Sequence, residues 1–267
     1  MTRFFAAIAT LSALGAAVPA QAQSRPGWDV SAEVFHYAYR EPLEAEDVKD
    51  DGLMIGGAFG YTHVRGSWIG KVRGSVAAGA VDYRLGTETI DDVSQAIAQL
   101  ELNVGRDFRT ERGSALTPFI GLGARALSDS SGGKTTSEGS EGYDRRVTYQ
   151  YVTAGAALNT PIRDGRSYTL SGQYNWLSGG SSKAYFSDLD PEAPNLEMDF
   201  TDGYGVEAYA TINIQRGGGL VSAGPYLRYW NIDQSRSLVF TEGAESIEIY
   251  EPANSSWQLG LRATYNF

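Results

Sequence analysis

Residues 257–267 read Trp257-Gln-Leu-Gly-Leu-Arg-Ala-Thr-Tyr-Asn-Phe267. Trp257, Leu259, Leu261, Ala263, Tyr265 and Phe267 alternate with Gln258, Gly260, Arg262, Thr264 and Asn266. A period of two makes this one β-strand with an apolar face and a polar face. Aromatic residues at both ends of the apolar face suit a strand that crosses a bilayer, where such rings settle at the two interfaces. The sequence stops on Phe267, as bacterial outer-membrane barrels typically do. A soluble edge strand shares the alternation, so the rest of the chain has to decide.

The beginning of the chain points the same way. Arg3 precedes an apolar run over residues 4–17, followed by Val18-Pro19-Ala20-Gln21-Ala22. A charged start, a short apolar stretch and an Ala-x-Ala site predict a secretory signal over residues 1–22, cleaved after Ala22. No later stretch reaches the roughly eighteen consecutive apolar residues of a spanning helix. A chain of this kind enters a membrane only as a closed barrel, since only helices and closed barrels satisfy every backbone group in lipid.

Composition excludes several chemistries. There is no cysteine, hence neither a disulfide framework nor a thiolate metal site. The 32 acidic residues outnumber the 22 basic ones, for a formal net charge of −10, which disfavours nucleic acid as a partner. Glycine (32) and tyrosine (16) are abundant, as expected where only every second strand residue faces lipid.

Alternation and turn signals predict about ten strands in one domain spanning residues 23–267. They lie near 27–40, 53–63, 67–83, 94–108, 116–128, 145–161, 167–178, 203–215, 220–234 and 255–267. An eight-stranded count follows if a pair around 145–178 merges. The connections alternate in length. Short ones fall at 63–66, 109–113, 163–166 and 217–219, and long ones at 41–52, 84–93, 128–144, 178–202 and 235–254. Short periplasmic turns opposite long outer loops mark an all-β, transmembrane, antiparallel up-and-down barrel. The Ser/Gly-rich segment 128–143 reads as a flexible loop rather than an interdomain linker.

With the apolar face outward, Glu33, Lys71, Arg73, Glu101, Arg125, Glu207, Arg228 and Arg262 point inward as a layer of charge. Counting up from the short turns sets Glu33 level with Arg262 across the closing seam. The same count sets Glu101 level with Arg73 and within reach of Arg125, and makes Glu207 face Arg228. Opposite charges across strands are favourable, and an unpaired charge in a narrow interior is costly. Tyr37, Tyr39, Tyr83, Tyr209 and Tyr226 are expected to add bulk inside, nearer the outer rim. Small barrels are filled by side chains, whereas wide aqueous lumens come at 16–18 strands. A salt-bridged plug is therefore expected, with a narrow, porin-like charged channel as the alternative.

Catalytic inventories are thin. Omptin proteases share the ten-strand count, but their chemistry needs a His–Asp pair and a carboxylate pair at the outer rim to activate water. His63 falls beside a periplasmic turn, His36 has outward parity, and no histidine faces Asp91-Asp92. Lipid A deacylase chemistry needs His-x-Ser with a carboxylate, and His36-Tyr37-Ala38 lacks the serine. No catalytic residue, metal ligand or cofactor is expected, with a surface hydrolase as a second alternative. Two outer segments are acidic: Glu41, Glu44, Glu46, Asp47, Asp50 and Asp51, then Asp188, Asp190, Glu192, Glu197, Asp199 and Asp202. Oxygen-rich spacing could hold Ca²⁺ or Mg²⁺, yet no EF-hand-type loop occurs, and a charge run reads first as a solvated face. Tyr39-Arg40-Glu41-Pro42 and Tyr250-Glu251-Pro252 form related corners at the rim of the closing seam, where proline ends the ladder without a stranded N–H.

Several of these stretches carry a resemblance. Tyr39-Arg-Glu-Pro42, Gly79-Ala-Val-Asp-Tyr83, Thr117-Pro-Phe-Ile-Gly-Leu-Gly123, Ser130-Ser-Gly-Gly133 with Gly142-Tyr143, Pro225-Tyr-Leu-Arg-Tyr-Trp-Asn-Ile-Asp233 and Tyr250-Glu-Pro252 resemble a family of poorly characterised bacterial outer-membrane β-barrel proteins. The likeness spans nearly all of residues 23–267. It implies fold and a location in the outer membrane of a Gram-negative cell, and no activity. The expected partners are outer-membrane lipid, lipopolysaccharide with its bound cations, and an extracellular ligand.

Overall fold

The computed structural model describes residues 25–43, 46–242 and 245–267. The signal expected over residues 1–22, and Glu44 of the first acidic segment, lie outside them.

Fourteen strands follow in chain order: β1 (Gly27–Glu41), β2 (Val48–Arg65), β3 (Trp68–Leu85), β4 (Glu88–Arg106), β5 (Phe108–Arg109), β6 (Ala115–Ser130) and β7 (Arg145–Pro161). Then come β8 (Arg166–Ala184), β9 (Leu196–Phe200), β10 (Gly203–Arg216), β11 (Gly219–Ile232), β12 (Leu238–Glu242), β13 (Glu245–Ile249) and β14 (Asn254–Asn266). Each long strand pairs antiparallel with its neighbours, β10 pairs with β8, and β14 pairs with β1. The wall is thus a closed ten-stranded up-and-down barrel of β1–β4, β6–β8, β10, β11 and β14, and the eight-strand alternative is corrected. Short β9 extends the β8 edge, while β12 and β13 form a separate hairpin.

The period of two is obeyed around the wall. Val30, Val34, Leu53, Ile55, Phe59, Leu100, Leu102, Ile120, Leu122, Leu259 and Leu261 are exposed and face outward, forming an apolar belt. Rings bound it at both levels. Toward the short turns, Trp28 packs on Phe59 and Tyr61 with centroids 4.9 and 4.6 Å apart, and Tyr265 lies 6.0 Å from Phe267. Toward the long loops, Trp176, Tyr174, Tyr204, Tyr229 and Trp257 make a continuous chain of ring contacts at 4.2–6.1 Å. Two aromatic girdles around an apolar band are the exterior of a transmembrane β-barrel.

The strands climb past the upper girdle, and here the sequence boundaries change. The expected loop 84–93 is a two-residue turn at Gly86 and Thr87, because β3 runs to Leu85 and β4 starts at Glu88. Gly86 takes a positive φ of 57° in that turn, which suits the first position of a tight hairpin. Asp91 and Asp92 accordingly lie on a strand, and Asp92 occupies a bulge. The first acidic segment also shortens, since β2 begins at Val48 and places Asp50 and Asp51 in the wall. Glu197 and Asp199 belong to β9, and a bridge between Thr135 and Glu141 gives the Ser/Gly-rich loop its own structure.

Candidate functional site: the barrel interior and its long-loop mouth

Alternate residues of ten strands point into the barrel, and their polar groups stack in three levels. The first lies nearest the short turns. Glu33 and Arg262 are Cα partners across the β1–β14 seam, and Arg262 donates to Glu33 Oε2 through Nε at 2.9 Å and Nη2 at 2.7 Å. Its guanidinium lies 4.7 and 4.8 Å from the ring centres of Tyr209 and Tyr226, so the pair is roofed by aromatic faces. Beside it Arg73 donates to Asp29 Oδ1 and to Ser31 Oγ, both at 2.8 Å.

At the middle level Glu207 and Arg228 are Cα partners, as the spacing predicts, and Arg228 Nε lies 3.0 Å from Glu207 Oε2. Tyr209 donates its hydroxyl to the same carboxylate. Asn175 reaches the other oxygen at 3.2 Å, and Arg228 also donates to Gln258 Oε1 at 2.6 Å. A second chain runs from Gln99 to the Tyr151 hydroxyl (2.8 Å) and on to Glu101 (3.1 Å), which also accepts from Gln173 (2.9 Å). Buried hydrogen-bonded networks of this kind strengthen each member and fix a unique packing.

Two of the sequence pairings are corrected here. Arg73 and Glu101 are Cα partners, yet their side chains part: Arg73 turns to Asp29, and Glu101 is satisfied by Tyr151 and Gln173. Arg125 stands opposite Gln99 and Tyr149 rather than Glu101. It is 2% exposed and makes one 3.4 Å bond to Gln99, leaving Nε and Nη2 without partners among the described residues. Lys71 has inward parity but remains exposed and has no carboxylate within 4 Å among the described residues.

Above this network the interior becomes aromatic. Trp230, 1% exposed, stacks on Tyr149 at 5.5 Å and meets Tyr151 edge-on at 5.0 Å. Phe200, carried in by β9, packs against Tyr149 at 6.1 Å. Phe35, Tyr37, Met54, Val81 and Ile97 complete the same buried cluster. Of the five interior tyrosines expected from parity, Tyr37, Tyr39 and Tyr83 face this space, whereas Tyr209 and Tyr226 face inward lower down, over Arg262. Tyr149, Tyr151 and Trp230 were missed, although their alternation with Thr148, Gln150 and Tyr229 is legible.

The third level closes the mouth. Arg145 donates to Asp129 Oδ2 at 3.1 Å and to Glu251 Oε1 at 2.8 Å, and lies 3.6 Å from Glu41 Oε2. The Tyr39 hydroxyl donates to Glu41 at 2.9 Å, and its ring lies 5.3 Å from the guanidinium. The two rim corners therefore do more than finish the β1–β14 seam, because Glu41 and Glu251 reach across to β7. Within them Tyr250 and Pro42 stay exposed, and Pro252 is half-buried. Asp50 is buried beside the cluster. Lys49 and Asp51, its outward neighbours, are charged, so this level stands above the apolar belt. Burial pushes the Asp50 carboxyl up to about 7, against the pull of Arg145 and with help from Asp129, Glu41 and Asp51. Burial also raises Glu41 and Asp129. Arg145 stays charged despite its own burial, held by Tyr39, Asp129, Glu251 and Glu41.

His36 faces outward with Nε2 3.8 Å from Asp51 Oδ2, and His63 is exposed near the β2–β3 turn. Among the described residues no group of three His, Asp or Glu side chains is arranged to hold a metal ion.

No protein-family model and no curated protein matches the chain. Among solved structures, the outer membrane protease OmpT from Escherichia coli aligns over 90% of this chain and 97% of its own, at 11% identity and a TM-score of 0.55. The translocator domain of the autotransporter NalP from Neisseria meningitidis aligns over 92% and 91%, at 10% identity and a TM-score of 0.40. At 11% identity the likeness to OmpT is one of fold alone, and the fold is that of the bacterial outer-membrane β-barrels.

Proposed function

We propose that the chain is an outer-membrane barrel of a Gram-negative cell, exported by its N-terminal signal, whose lumen is closed and whose outer loops do its work. The observation that carries a closed lumen is the stack of Glu207, Arg228, Gln258, Tyr151 and Trp230, each nearly inaccessible to solvent inside a ten-stranded wall. Side chains fill a barrel of this size. The surface then offers acidic segments around Asp188–Asp202 and the Ser/Gly-rich loop to an extracellular partner or to lipopolysaccharide-bound cations. We take the protein to be non-enzymatic: its histidines lie outside the lumen and the mouth, and the protease activity of OmpT does not follow from a likeness of fold.

Recording from the folded protein in planar bilayers tests this reading. Wild type is expected to show no steady conductance near neutral pH, and Arg73→Ala or Glu101→Ala to stay closed, since the buried stack remains in both. Steady ohmic conductance of wild type, altered by either substitution, would establish the narrow channel instead. Hydrolysis of peptide or lipid A that is lost in His36→Ala would establish an enzyme.

A further inference from the structure

Five separate parts of the chain bring charge to one point at the outer mouth: Glu41 from the end of β1, Asp50 from β2, Asp129 from the end of β6, Arg145 from the start of β7, and Glu251 from the segment entering β14. Glu251 is held there by backbone and side-chain hydrogen bonds with Ser235 at 3.0 and 2.8 Å. Four carboxylates share one guanidinium. Arg145 spends its donors on Asp129 and Glu251 and touches Glu41, which leaves Asp50 without a counter-charge in hydrogen-bond contact. Asp50 is 4% exposed, and its Oδ1 has no hydrogen-bond partner among the described residues.

Among the described residues, titratable groups reach Asp50 from β1, β3, β6 and β7 as well as from its own strand. Tyr39 and Tyr83 are its Cα partners on β1 and β3. Glu41, Asp129 and Arg145 approach from β1, β6 and β7, and Asp51 follows it on its own strand. Tyr37 lies below. The nearby cations Arg84, Lys49 and Arg40 turn outward, Arg84 to Asp51 at 3.6 Å and Lys49 and Arg40 to Asp47 at 3.5 and 2.7 Å. The free oxygen is out of reach of solvent, so a proton is the ligand small enough to satisfy it.

We propose that this cluster is a proton-operated latch on the outer mouth, closed when Asp50 carries a proton and released when it loses one. The inference rests on the closed lumen proposed above. A neutral Asp50 leaves three carboxylates around Arg145 and lets the ends of β1, β2, β6 and β7 pack together. Loss of the proton to solvent puts a fourth negative charge in a buried site, and water entering the mouth relieves it. Burial, which raises the carboxyl to about 7, places the transition near neutrality. The sign follows from linkage: a group whose carboxyl is raised in the closed state stabilises that state fully below its ordinary value, and the stabilisation is lost as pH rises through about 7.

Hydrogen exchange of the full chain in phospholipid vesicles from pH 5.5 to 9, beside Asp50→Asn, tests the latch, with conductance recorded on the same protein. At the ends of β1, β2, β6 and β7 wild-type protection, corrected for the intrinsic pH dependence of exchange, is expected to fall by up to about tenfold per pH unit, the limit for release of one proton, and to level off above about 7. Asp50→Asn, neutral at every pH, is expected to keep its protection. Wild-type protection that is unchanged from pH 5.5 to 9 overturns the latch, and the absence of steady conductance leaves the closed lumen standing. Steady conductance at every pH overturns both. Loss of protection in Asp50→Asn that matches wild type overturns the role of Asp50. Should Asp50→Asn fail to fold, infrared titration of wild type decides: a buried protonated-carboxyl band that fades near pH 7 supports the latch, and one already gone by pH 5 overturns it.

Discussion

Arg125 and Arg228 pose the same residue with opposite consequences. Both are buried guanidiniums on inward faces, and the two repel each other. Arg228 has the Glu207 carboxylate at 3.0 Å, whereas Arg125 has one long bond to an amide. Replacing Arg228 by methionine strands Glu207, 1% exposed, and a buried charge that loses its partner costs about 3–5 kcal/mol. Replacing Arg125 by methionine strands no charge, gives up only the long bond to Gln99 Oε1 and removes a buried cation with no carboxylate in contact, so it is expected to be neutral or to stabilise by about 1 kcal/mol. Urea unfolding of the two variants in lipid vesicles reads both signs. Equal destabilisation would mean that a counter-charge holds Arg125 as Glu207 holds Arg228.

At the scale of strands, packing depends on where the wall leaves room. Gly123 on β6 faces Tyr151 on β7, and a Cβ at residue 123 would come 2.1 Å from the Tyr151 ring. Gly123→Ala therefore forces Tyr151 aside and breaks the Gln99–Tyr151–Glu101 chain, with an expected loss of about 1–3 kcal/mol. A thermal midpoint unchanged from wild type would sink that account. Register of this kind was legible in the sequence: alternation placed Glu33 opposite Arg262 and Glu207 opposite Arg228. What register does not give is the direction of a long side chain, which is why Arg73 leaves its Cα partner Glu101 for Asp29 two strands away. The upper strand ends were illegible for a different reason. Above the apolar belt the outer face turns polar while the inner face mixes Asp50 with Val48, Ile90 and Val93, and the bulge at Asp92 shifts the register, so Val48–Asp51 and Glu88–Val93 lose the clean alternation that identifies a strand while keeping its hydrogen bonds. The mouth cluster was hidden by the same effect, since buried Asp50 read as part of a solvated acidic loop.

The molecule as a whole is organised by height: two girdles bound an apolar belt, a polar stack fills the interior beside it, and the charged mouth rises above. That arrangement makes a position-dependent prediction for the outer face. Leu261 on β14 is 60% exposed and lies midway between Trp257 of the upper girdle and Tyr265 of the lower. Ala38 on β1 is the Cα partner of Trp257 and faces outward at the upper girdle. An arginine placed at the bilayer midplane costs about 2–4 kcal/mol, and near an interface about 0–1. Leu261→Arg should thus destabilise the barrel in phospholipid vesicles by about 2–4 kcal/mol and Ala38→Arg by about 1 or less. In a detergent micelle, which lets water reach the substituted side chain, the difference should shrink. Both variants change only the outer face, so the charge pairs of the lumen stay as they are. Equal costs in vesicles would mean that the belt is not the lipid-facing band, and would remove the membrane reading.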